Sequence, residues 1–169
     1  NVDILFESRK EVAFDKSRSL THPDAIHQYK AFLNRGYDMP ENLENPNFFC
    51  DTFVVWYQTP DQLEEFRKVS DPYFTCIDRG GTFREFVPIG YSKATGIQYV
   101  LDYYHLDLDA AYAIGDSNND LPMLSYVPNS VAMGNASPAS LFDQVSFVTK
   151  RASEDGIAYA LEQLGFFES

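Results

Sequence analysis

The sequence predicts an α/β protein in two parts, an α+β unit over residues 1–88 and part of a parallel α/β sheet over residues 89–169. In the first part, short apolar runs are paired around turns, a pattern typical of antiparallel strands. In the second part, apolar runs alternate with helical patterns, which favours a parallel sheet with helices on its faces. The two patterns meet at Pro88-Ile89-Gly90, where we place the domain boundary.

Five strands and two helices are expected in the first part. One helix is predicted from Thr21 through Leu33, and a second helix begins at Thr59. Residues 38–47, rich in Asn, Pro and Glu, predict a loop. The segment Asp78-Arg79-Gly80-Gly81-Thr82 predicts a hairpin turn between the last two strands. The apolar runs that predict the strands are 2–6, 11–14, 53–57, 73–77 and 83–87.

The second part begins with a helix from Lys93 to about Tyr104, for which Ser92 can serve as the N-terminal cap. Ser153 is expected to cap the final helix. The apolar residues of the first helix recur at i, i+3, i+4 and i+7, and they are Ile97, Val100, Leu101 and Tyr104. Three strands are predicted at 111–114, 130–133 and 145–148, with further helices from Asp120 and over 138–142.

The charge balance restricts the classes of partner. The chain has 13 basic and 25 acidic residues, a formal net charge of −12, and no basic run. Proteins that bind nucleic acid neutralise phosphates with clustered Lys and Arg, so a nucleic-acid partner is not expected. Because the same acidic field repels phosphorylated ligands, any phosphate site must be local and helped by a cation.

Several features indicate a cytoplasmic protein. No apolar run approaches the ~20 residues that a membrane-spanning helix needs, so no membrane partner is expected. The N-terminus, Asn1-Val2-Asp3-Ile4-Leu5, lacks the basic flank and long apolar core of a signal peptide. Since it also lacks an initiator Met, we expect the chain to derive from a longer one. Cys50 and Cys76 fit no metal-ligand spacing and are expected to be reduced thiols.

The most informative segment is Gly115-Asp116-Ser117-Asn118-Asn119-Asp120, which directly follows a predicted strand. In open parallel sheets, ligands bind at the edge formed by the carboxyl ends of the strands. Two carboxylates and an amide at such a turn offer oxygen ligands of the kind that Mg²⁺ prefers. A helix begins at the same loop, so its N-terminal N–H groups can face an anion. Taken alone, a polar turn that caps a helix is the simpler interpretation.

Lys93 changes that interpretation. It lies in the first turn of a predicted helix, 23 residues before Asp116, where the positive end of the helix dipole is unfavourable to a cation. An anion bound beside Lys93 would explain its position, although a lone Lys is more simply a solvated surface residue. Together, the Lys and the acidic loop predict a combined magnesium and phosphate site.

Three motifs follow one another along the second part. They are Gly90-Tyr91-Ser92-Lys93-Ala94-Thr95-Gly96-Ile97, Ala113-Ile114-Gly115-Asp116-Ser117-Asn118-Asn119-Asp120 and Val131-Ala132-Met133-Gly134-Asn135-Ala136. In this order they resemble the Cof-type (subfamily IIB) haloacid dehalogenase-like hydrolases over residues 86–165. Glu154-Asp155-Gly156-Ile157 fits the same pattern, whereas residues 1–85 resemble the cap of that family only in their order of elements. The resemblance implies a cap domain over 1–88 that sets specificity, and the second half of a Rossmann-like core over 89–169.

The resemblance also implies roles for four residues. Lys93 would bind the transferring phosphoryl group and steady the nucleophilic carboxylate, and Asn119 would contact the phosphate. Asp116 would ligate Mg²⁺, and Asp120 would support the metal without ligating it. These roles imply a Mg²⁺-dependent phosphatase that hydrolyses small phosphate monoesters, such as a sugar phosphate, through an aspartyl-phosphate. Asn135 would lie near the rim of the site, as either a structural or a substrate-facing residue.

The family also requires an Asp-x-Asp-x-Thr motif, whose first Asp is the nucleophile. Asp107-Leu108-Asp109 has the spacing but carries Ala111 at the Thr position, and in Asp78–Thr82 Gly80 replaces the second Asp. We therefore expect these 169 residues to be inactive alone. Absence of the first core strand is expected to expose a sheet edge, which a missing N-terminal segment or another copy of the chain would cover.

Two alternatives stay open. One is a module without enzymatic activity that keeps a metal or phosphate site, or serves a structural role. The other is a relative of the phosphosugar mutases. An Asp-x-Asp-x-Thr motif encoded upstream in frame would favour the enzyme, whereas a start codon at this point would favour the module.

Overall fold

A computed structural model of the chain describes residues 2–15, 17–37, 39 and 49–167. It divides into two compact units, Asn1–Ile89 and Gly90–Ser169. The loop predicted at 38–47 lies outside the described residues, apart from Met39. No helix in the described part of the chain is long and apolar enough to cross a membrane.

In the part of the first unit that the structure describes, a five-stranded antiparallel sheet packs with two helices, as predicted. The strands follow the order β2-β1-β3-β5-β4 across the sheet. The predicted turn at Asp78–Thr82 joins β4 to β5, and Gly80 and Gly81 adopt positive φ there. The elements are β1 (Asp3–Glu7), β2 (Val12–Phe14), α1 (Pro23–Asn34), β3 (Thr52–Trp56), α2 (Pro60–Ser70), β4 (Phe74–Asp78) and β5 (Phe83–Pro88).

The sheet of the first unit carries a core on each face. Successive strand residues point to opposite faces, so Val54 and Val55 belong to separate clusters. On one face, Tyr29 of α1 packs edge-on against Phe14 with ring centroids 5.5 Å apart. On the other face, Phe66 of α2 packs against Phe86 at 5.3 Å. The high aromatic content of the sequence is therefore used largely for core packing in this unit.

A buried carboxylate fixes the loop between β2 and α1. Asp3 is 2% exposed, and its Oδ2 accepts the backbone N–H groups of Thr21 at 2.7 Å and His22 at 2.6 Å. Its Oδ1 lies 3.2 Å from the guanidinium of Arg18, in an ion pair that lacks hydrogen-bond geometry. The ring of His22 is buried and contacts the hydroxyl of Thr82 at 2.9 Å. This network ties the start of the sheet to the start of α1.

The second unit is a three-stranded parallel sheet in the order β6-β7-β8, as the alternating pattern predicts. Helix α3 has the predicted bounds, and four short 3-10 turns precede or connect the other elements. The elements are α3 (Lys93–Tyr104), β6 (Tyr112–Ser117), α4 (Leu121–Tyr126), β7 (Asn129–Ser137), β8 (Phe147–Val148) and α5 (Gly156–Gln163). The 3-10 turns are Leu108–Ala110, Asn118–Asp120, Ala139–Gln144 and Ala152–Glu154.

Both faces of this smaller sheet are covered in part. Ala113 of β6 belongs to a core cluster with Leu124 of α4. Its neighbour Tyr112 points the other way and packs on Phe166, which follows α5, with ring centroids 4.7 Å apart. Helix α3 buries Leu101, but Val100 and Tyr104 of the predicted apolar stripe are 49% and 64% exposed. The apolar face of α3 is therefore only partly covered by the described residues.

The predicted cap of the last helix was wrong. Ser153 lies inside the 3-10 turn Ala152–Glu154, and α5 begins at Gly156. Asp155 occupies the cap position with φ 53°, and its side chain makes no capping hydrogen bond. The left-handed backbone of Asp155 separates the 3-10 turn from α5, so the helix starts later than a cap at Ser153 would predict.

Candidate functional site

The predicted loop lies at the carboxyl end of the parallel sheet. Strand β6 continues through Asp116 to Ser117, and the 3-10 turn Asn118–Asp120 leads directly into α4. Ile114 and Gly115 pair with Val131 and Ala132 of β7. The loop therefore occupies the edge of an open parallel sheet at which ligands bind.

Asp120 holds this loop in shape. It is 5% exposed, and its Oδ2 accepts the backbone N–H groups of Asp116 at 2.9 Å and Ser117 at 3.2 Å. A carboxylate that accepts two backbone donors satisfies groups that the end of a strand would otherwise leave unpaired. The side chain of Asp120 thus acts as a clamp that fixes the backbone beneath the carboxylate of Asp116.

Gly115 makes room for the clamp. A Cβ at position 115 would lie 2.6 Å from Cβ of Asp120 and 2.9 Å from its Oδ2. Non-bonded carbon atoms normally approach no closer than about 3.5 Å, so no side chain fits there. The glycine at position 115 is therefore required by the packing of Asp120 in this loop.

Lys93, in the first turn of α3, contacts the side chain of Asp120. Its ammonium contacts Oδ1 of Asp120 in an ion pair, with side-chain exposures of 47% for Lys93 and 7% for Asp120. The start of α3 is fixed by a reciprocal cap, in which Ser92 and Thr95 exchange backbone-to-hydroxyl bonds of 2.9 and 3.2 Å. The cation predicted beside the acidic loop therefore lies beside it, and the Lys93 side chain is about half exposed to solvent.

The electrostatics of the clamp favour an ionised Asp120. Burial acts to raise the pKa of this carboxyl, but the hydrogen bonds from Lys93 and from the backbone of Asp116 outweigh it, with a further contribution from Ser117. The net effect holds the pKa of Asp120 below its ordinary value. Asp120 is therefore a fixed negative charge that anchors Lys93.

Comparison with known proteins identifies the family. The sequence profile of the haloacid dehalogenase-like hydrolases matches residues 1–161. The chain belongs to this family of hydrolases. The assignment drawn from the three motifs is thus confirmed, and so is the prediction of a Rossmann-like α/β fold for the second unit.

Curated relatives within this hydrolase family include several named as phosphatases. YkrA of Bacillus subtilis (strain 168), whose name assigns it provisionally as a phosphatase, is 42% identical over 105 residues, covering 62% of this chain and 40% of YkrA. YwtE of the same organism is named 5-amino-6-(5-phospho-D-ribitylamino)uracil phosphatase. It is 32% identical over 147 residues, covering 83% of this chain and 49% of YwtE. The chain thus spans about half or less of these two relatives.

Solved structures of haloacid dehalogenase-like proteins share the fold. The phosphatase BT1666 from Bacteroides thetaiotaomicron superposes with a TM-score of 0.77 at 24% identity, covering 98% of this chain and 60% of that protein. The subclass IIB sugar phosphatase BT4131 gives a TM-score of 0.77 at 21% identity, covering 98% and 62% respectively. These likenesses support the fold, and they too extend over less than two thirds of the solved chains.

The loop over residues 115–120 contains a residue, Ser117, that the sequence analysis did not single out. The hydroxyl of Ser117 donates to Oδ1 of Asn119 at 2.7 Å and lies 3.4 Å from Oδ2 of Asp120. Ser117 and Asp120 have the spacing of a capping box, and this Ser-x-x-Asp pattern could have revealed the link. Ser117 thereby joins the amide of Asn119 to the clamp.

The donor set fits Mg²⁺ only in part. Asp116 is exposed at the loop, whereas both oxygens of Asp120 already accept hydrogen bonds. Within residues 2–15, 17–37, 39 and 49–167, no group of three or more His, Cys, Asp and Glu side chains is placed to hold a metal. Mg²⁺ typically takes one or two carboxylates and keeps several waters. The described part of this loop therefore offers one exposed carboxylate, Asp116, to such an ion.

Other candidates are accounted for by local structure. Oδ1 of Asn135 accepts the backbone N–H of Ala152 at 2.8 Å, which holds this side chain against the segment after β8. Asp107-Leu108-Asp109 leads through a 3-10 turn into β6, and Asp78–Thr82 forms the β4–β5 turn. Cys50 and Cys76 are free thiols. The structure thus brings Lys93, Asp116, Asn119 and Asp120 into one linked group, and their catalytic roles stay predictions.

Proposed function

We propose that the whole protein is a Mg²⁺-dependent phosphatase that hydrolyses a small phosphorylated metabolite, such as a sugar phosphate, through an aspartyl-phosphate. One observation carries the proposal. The ammonium of Lys93 is anchored by the buried Asp120 at the carboxyl end of β6, beside the exposed Asp116. A cation and a carboxylate at this edge suit a site that holds phosphate together with a metal.

Each residue of the group would contribute by position and charge. Lys93 would neutralise charge on the transferring phosphoryl group, and its tether to Asp120 reduces the entropy cost of holding a long side chain in place. Asn119 would contact the phosphate, with its orientation set by Ser117. Asp116 would hold the metal, and Asp120 would fix the backbone around it. When bound, Mg²⁺ would supply further charge neutralisation at the phosphate oxygens.

The names of the relatives support the class of substrate. YwtE is named for a phosphorylated ribityl compound, and BT4131 is described as a sugar phosphatase. Both names refer to small phosphate monoesters. The proposed substrate of the present protein is therefore a metabolite of this size, and not a phosphorylated polymer.

The 169 residues alone would not turn over phosphate esters. They contain no Asp-x-Asp-x-Thr motif, so the carboxylate that forms the covalent intermediate must come from elsewhere in the whole protein. Strand β6 pairs only with β7 among the described strands, which leaves one side of β6 open at the edge of the sheet. We infer that a missing N-terminal segment, or a second copy of the chain, covers this edge.

The test uses the full-length product of the gene that encodes this chain. We expect Mg²⁺-dependent release of phosphate from at least one sugar phosphate, and we expect Asp116→Ala to abolish it. Asp143→Ala, at an exposed position before β8, is the matched control and should retain activity. No Mg²⁺-dependent release, or release unaffected by Asp116→Ala, would leave the non-enzymatic module as the better interpretation.

A further inference from the structure

Lys150 and Arg151 form a second cationic feature that the proposed chemistry does not use. Residues 90–169 contain three basic residues against ten acidic ones. One of the three is Lys93, which is paired with Asp120. The other two are Lys150 and Arg151, which follow β8 in direct succession. In so acidic a unit, the location of every cation affects where an anion can bind.

The register of the sheet places both cationic groups at the same edge. Gly115, Ala132 and Val148 form one row across the three parallel strands. Lys150 lies two residues beyond this row, just past the end of β8, and Ser117 lies two residues beyond it at the end of β6. Because neighbouring strands are about 4.8 Å apart, β6 and β8 are separated by about 10 Å. The second cationic group therefore lies roughly one small molecule's length from the acidic loop.

The opposite edge of this unit contains only acidic charge. Five acidic residues lie in segments that lead into β6 or β8, or in the last turns of α3 and α5, and they are Asp102, Asp107, Asp109, Asp143 and Glu162. At the edge that carries Lys93, Lys150 and Arg151, Asp116 is exposed, Asp120 is paired with Lys93, and Glu154 accepts the backbone N–H of Arg151 at 3.2 Å. Asp155 is exposed there beside the two cations. An anionic ligand is therefore disfavoured at one end of the sheet and accommodated at the other.

The backbone at Lys150 and Arg151 is held firmly. The N–H of Gly134 donates to the carbonyl of Lys150 at 3.0 Å. The carbonyl of Arg151 accepts the N–H groups of Glu154 at 2.9 Å and Gly156 at 3.1 Å. A Cβ on Gly134 would lie 2.7 Å from the carbonyl oxygen of Thr149. The two cationic residues thus project from a segment that is fixed against the ends of β7 and α5.

The two side chains differ in freedom. The ammonium of Lys150 lies over the ring of Tyr159, 4.0 Å from its centroid, in a cation–π contact. Arg151 is exposed, with its backbone fixed on both sides. A guanidinium presents a planar fork that matches a carboxylate or a phosphate with two parallel hydrogen bonds. Arg151 is therefore the member of the pair that is suited to directional recognition.

We propose that Arg151, assisted by Lys150, binds a second anionic group of the substrate, so that the preferred phosphate ester also carries a carboxylate or another phosphate. The inference rests on the proposed function, since the first anionic group is the phosphoryl group at Lys93. It adds a specificity-determining pair to that site. A carboxylate and a phosphate each offer two charged oxygens to a guanidinium, and matched probes separate them.

The test measures substrate preference in the full-length protein. The first pair of probes is 6-phosphogluconate and glucose 6-phosphate, and the second pair is fructose 1,6-bisphosphate and fructose 6-phosphate. We expect kcat/KM to favour the doubly anionic member of at least one pair. Arg151→Gln should lower that ratio about tenfold, the effect of losing a hydrogen bond to a charged group. Arg151→Lys should retain part of the ratio, and Arg35→Gln, at an exposed position after α1, should retain all of it.

Binding without Mg²⁺ separates this inference from the proposed function. Calorimetry first shows which doubly anionic probe wild type binds more tightly than the singly anionic probe of the same pair. Arg151→Gln should raise the Kd of that doubly anionic probe about tenfold more than the Kd of the singly anionic one. If no probe is hydrolysed but this difference persists, the proposed function fails and the anion subsite stands. If wild-type protein shows no preference in either pair, or if Arg151→Gln leaves the ratio unchanged, the subsite is overturned while the phosphatase proposal stands.

Discussion

Lys93 and Asp120, 27 residues apart in the sequence, form an ion pair in which the cation is half exposed and the carboxylate is buried. The two residues of the ion pair therefore have different roles. Asp120 keeps its two backbone hydrogen bonds when Lys93 is removed, whereas Lys93 loses its anchor when Asp120 is removed. Stability should depend mainly on the acid, and catalysis on the cation.

Replacing Lys93 with Met tests this division. Because the ammonium is half exposed, its loss should lower the free energy of unfolding by about 1 kcal/mol or less. Phosphate release by the full-length protein should fall by roughly 10²-fold or more, as when a charge-stabilising donor is removed from an active site. Urea unfolding and a phosphate assay measure the two effects. Lys30→Met, at an exposed position on α1, is the control, and comparable loss in both variants would contradict the assigned role.

The pH dependence of stability should report on Asp120. Its folded-state pKa is held below the usual value of 3.8, so ionisation stabilises the fold above that pH and the contribution is lost as the pH falls through the lowered pKa. The stability difference between wild type and Lys93→Met should therefore be largest above about pH 5 and narrow on acidification. Urea titrations at several pH values would measure it. A difference that does not narrow on acidification would contradict an ionised Asp120 paired with Lys93.

Two glycines in the second unit give a matched pair of substitutions. Gly115→Ala would push a methyl group to 2.6 Å from Asp120, which should destabilise the unit by about 2 kcal/mol or more. Gly96→Ala, inside α3 with no atom within 4 Å of the new methyl, should stabilise it by about 0.5–1 kcal/mol. Thermal unfolding followed by circular dichroism compares them. Equal effects of the two substitutions would refute the packing argument for Gly115.

The helix of Lys93 and the family motifs were predictable because their signals are local. Ser92 and Thr95 cap α3 within four residues of chain, and the observed bounds of α3 match the prediction. The extension of β6 to Ser117 depends on Asp120 reaching back to two backbone N–H groups, which no strand pattern encodes. The approach of Lys93 to Asp120 is likewise a tertiary contact, and the motifs implied it only through the family resemblance.

Other features could not be read from local pattern at all. Val100 and Tyr104 have core-like spacing yet are exposed, since periodicity shows which face is apolar and not whether a neighbour covers it. Ser153 has a favoured cap residue type, but the left-handed backbone of Asp155 starts the helix later. The buried network around Asp3 also escaped notice, because an Asp within an apolar run gives no sign of its partners.

The Asp3 network should matter for the stability of the first unit. Asp3→Asn removes the charge that attracts Arg18 and weakens two short hydrogen bonds to backbone, so we expect a loss of about 2–3 kcal/mol. Trp56 is the sole tryptophan and is buried in this unit, so its fluorescence during urea unfolding reports the effect. Asp24→Asn, whose side chain is 77% exposed, is the control and should change little. A loss below about 0.5 kcal/mol in Asp3→Asn would mean that the network is not stabilising.

The open side of β6 should make the 169-residue chain associate. Sedimentation over a range of concentrations should show species larger than a monomer, since an uncovered strand edge invites pairing. Tyr112→Lys adds a charge on β6 and should reduce association. Tyr99→Lys, at an exposed position on α3, should not reduce it. A monomer at every concentration, or equal effects of both substitutions, would exclude the edge as the contact.

The two glycines beside the Lys150–Arg151 segment bear on any redesign of this protein. A Cβ on Gly156 would overlap the carbonyl oxygen of Lys150, and one on Gly134 would press on Thr149. In a mutagenesis library that randomises these two glycines, most variants would be misfolded. Diversity confined to positions 150 and 151, whose side chains project from a rigid backbone, would sample new ligand preferences on an intact scaffold.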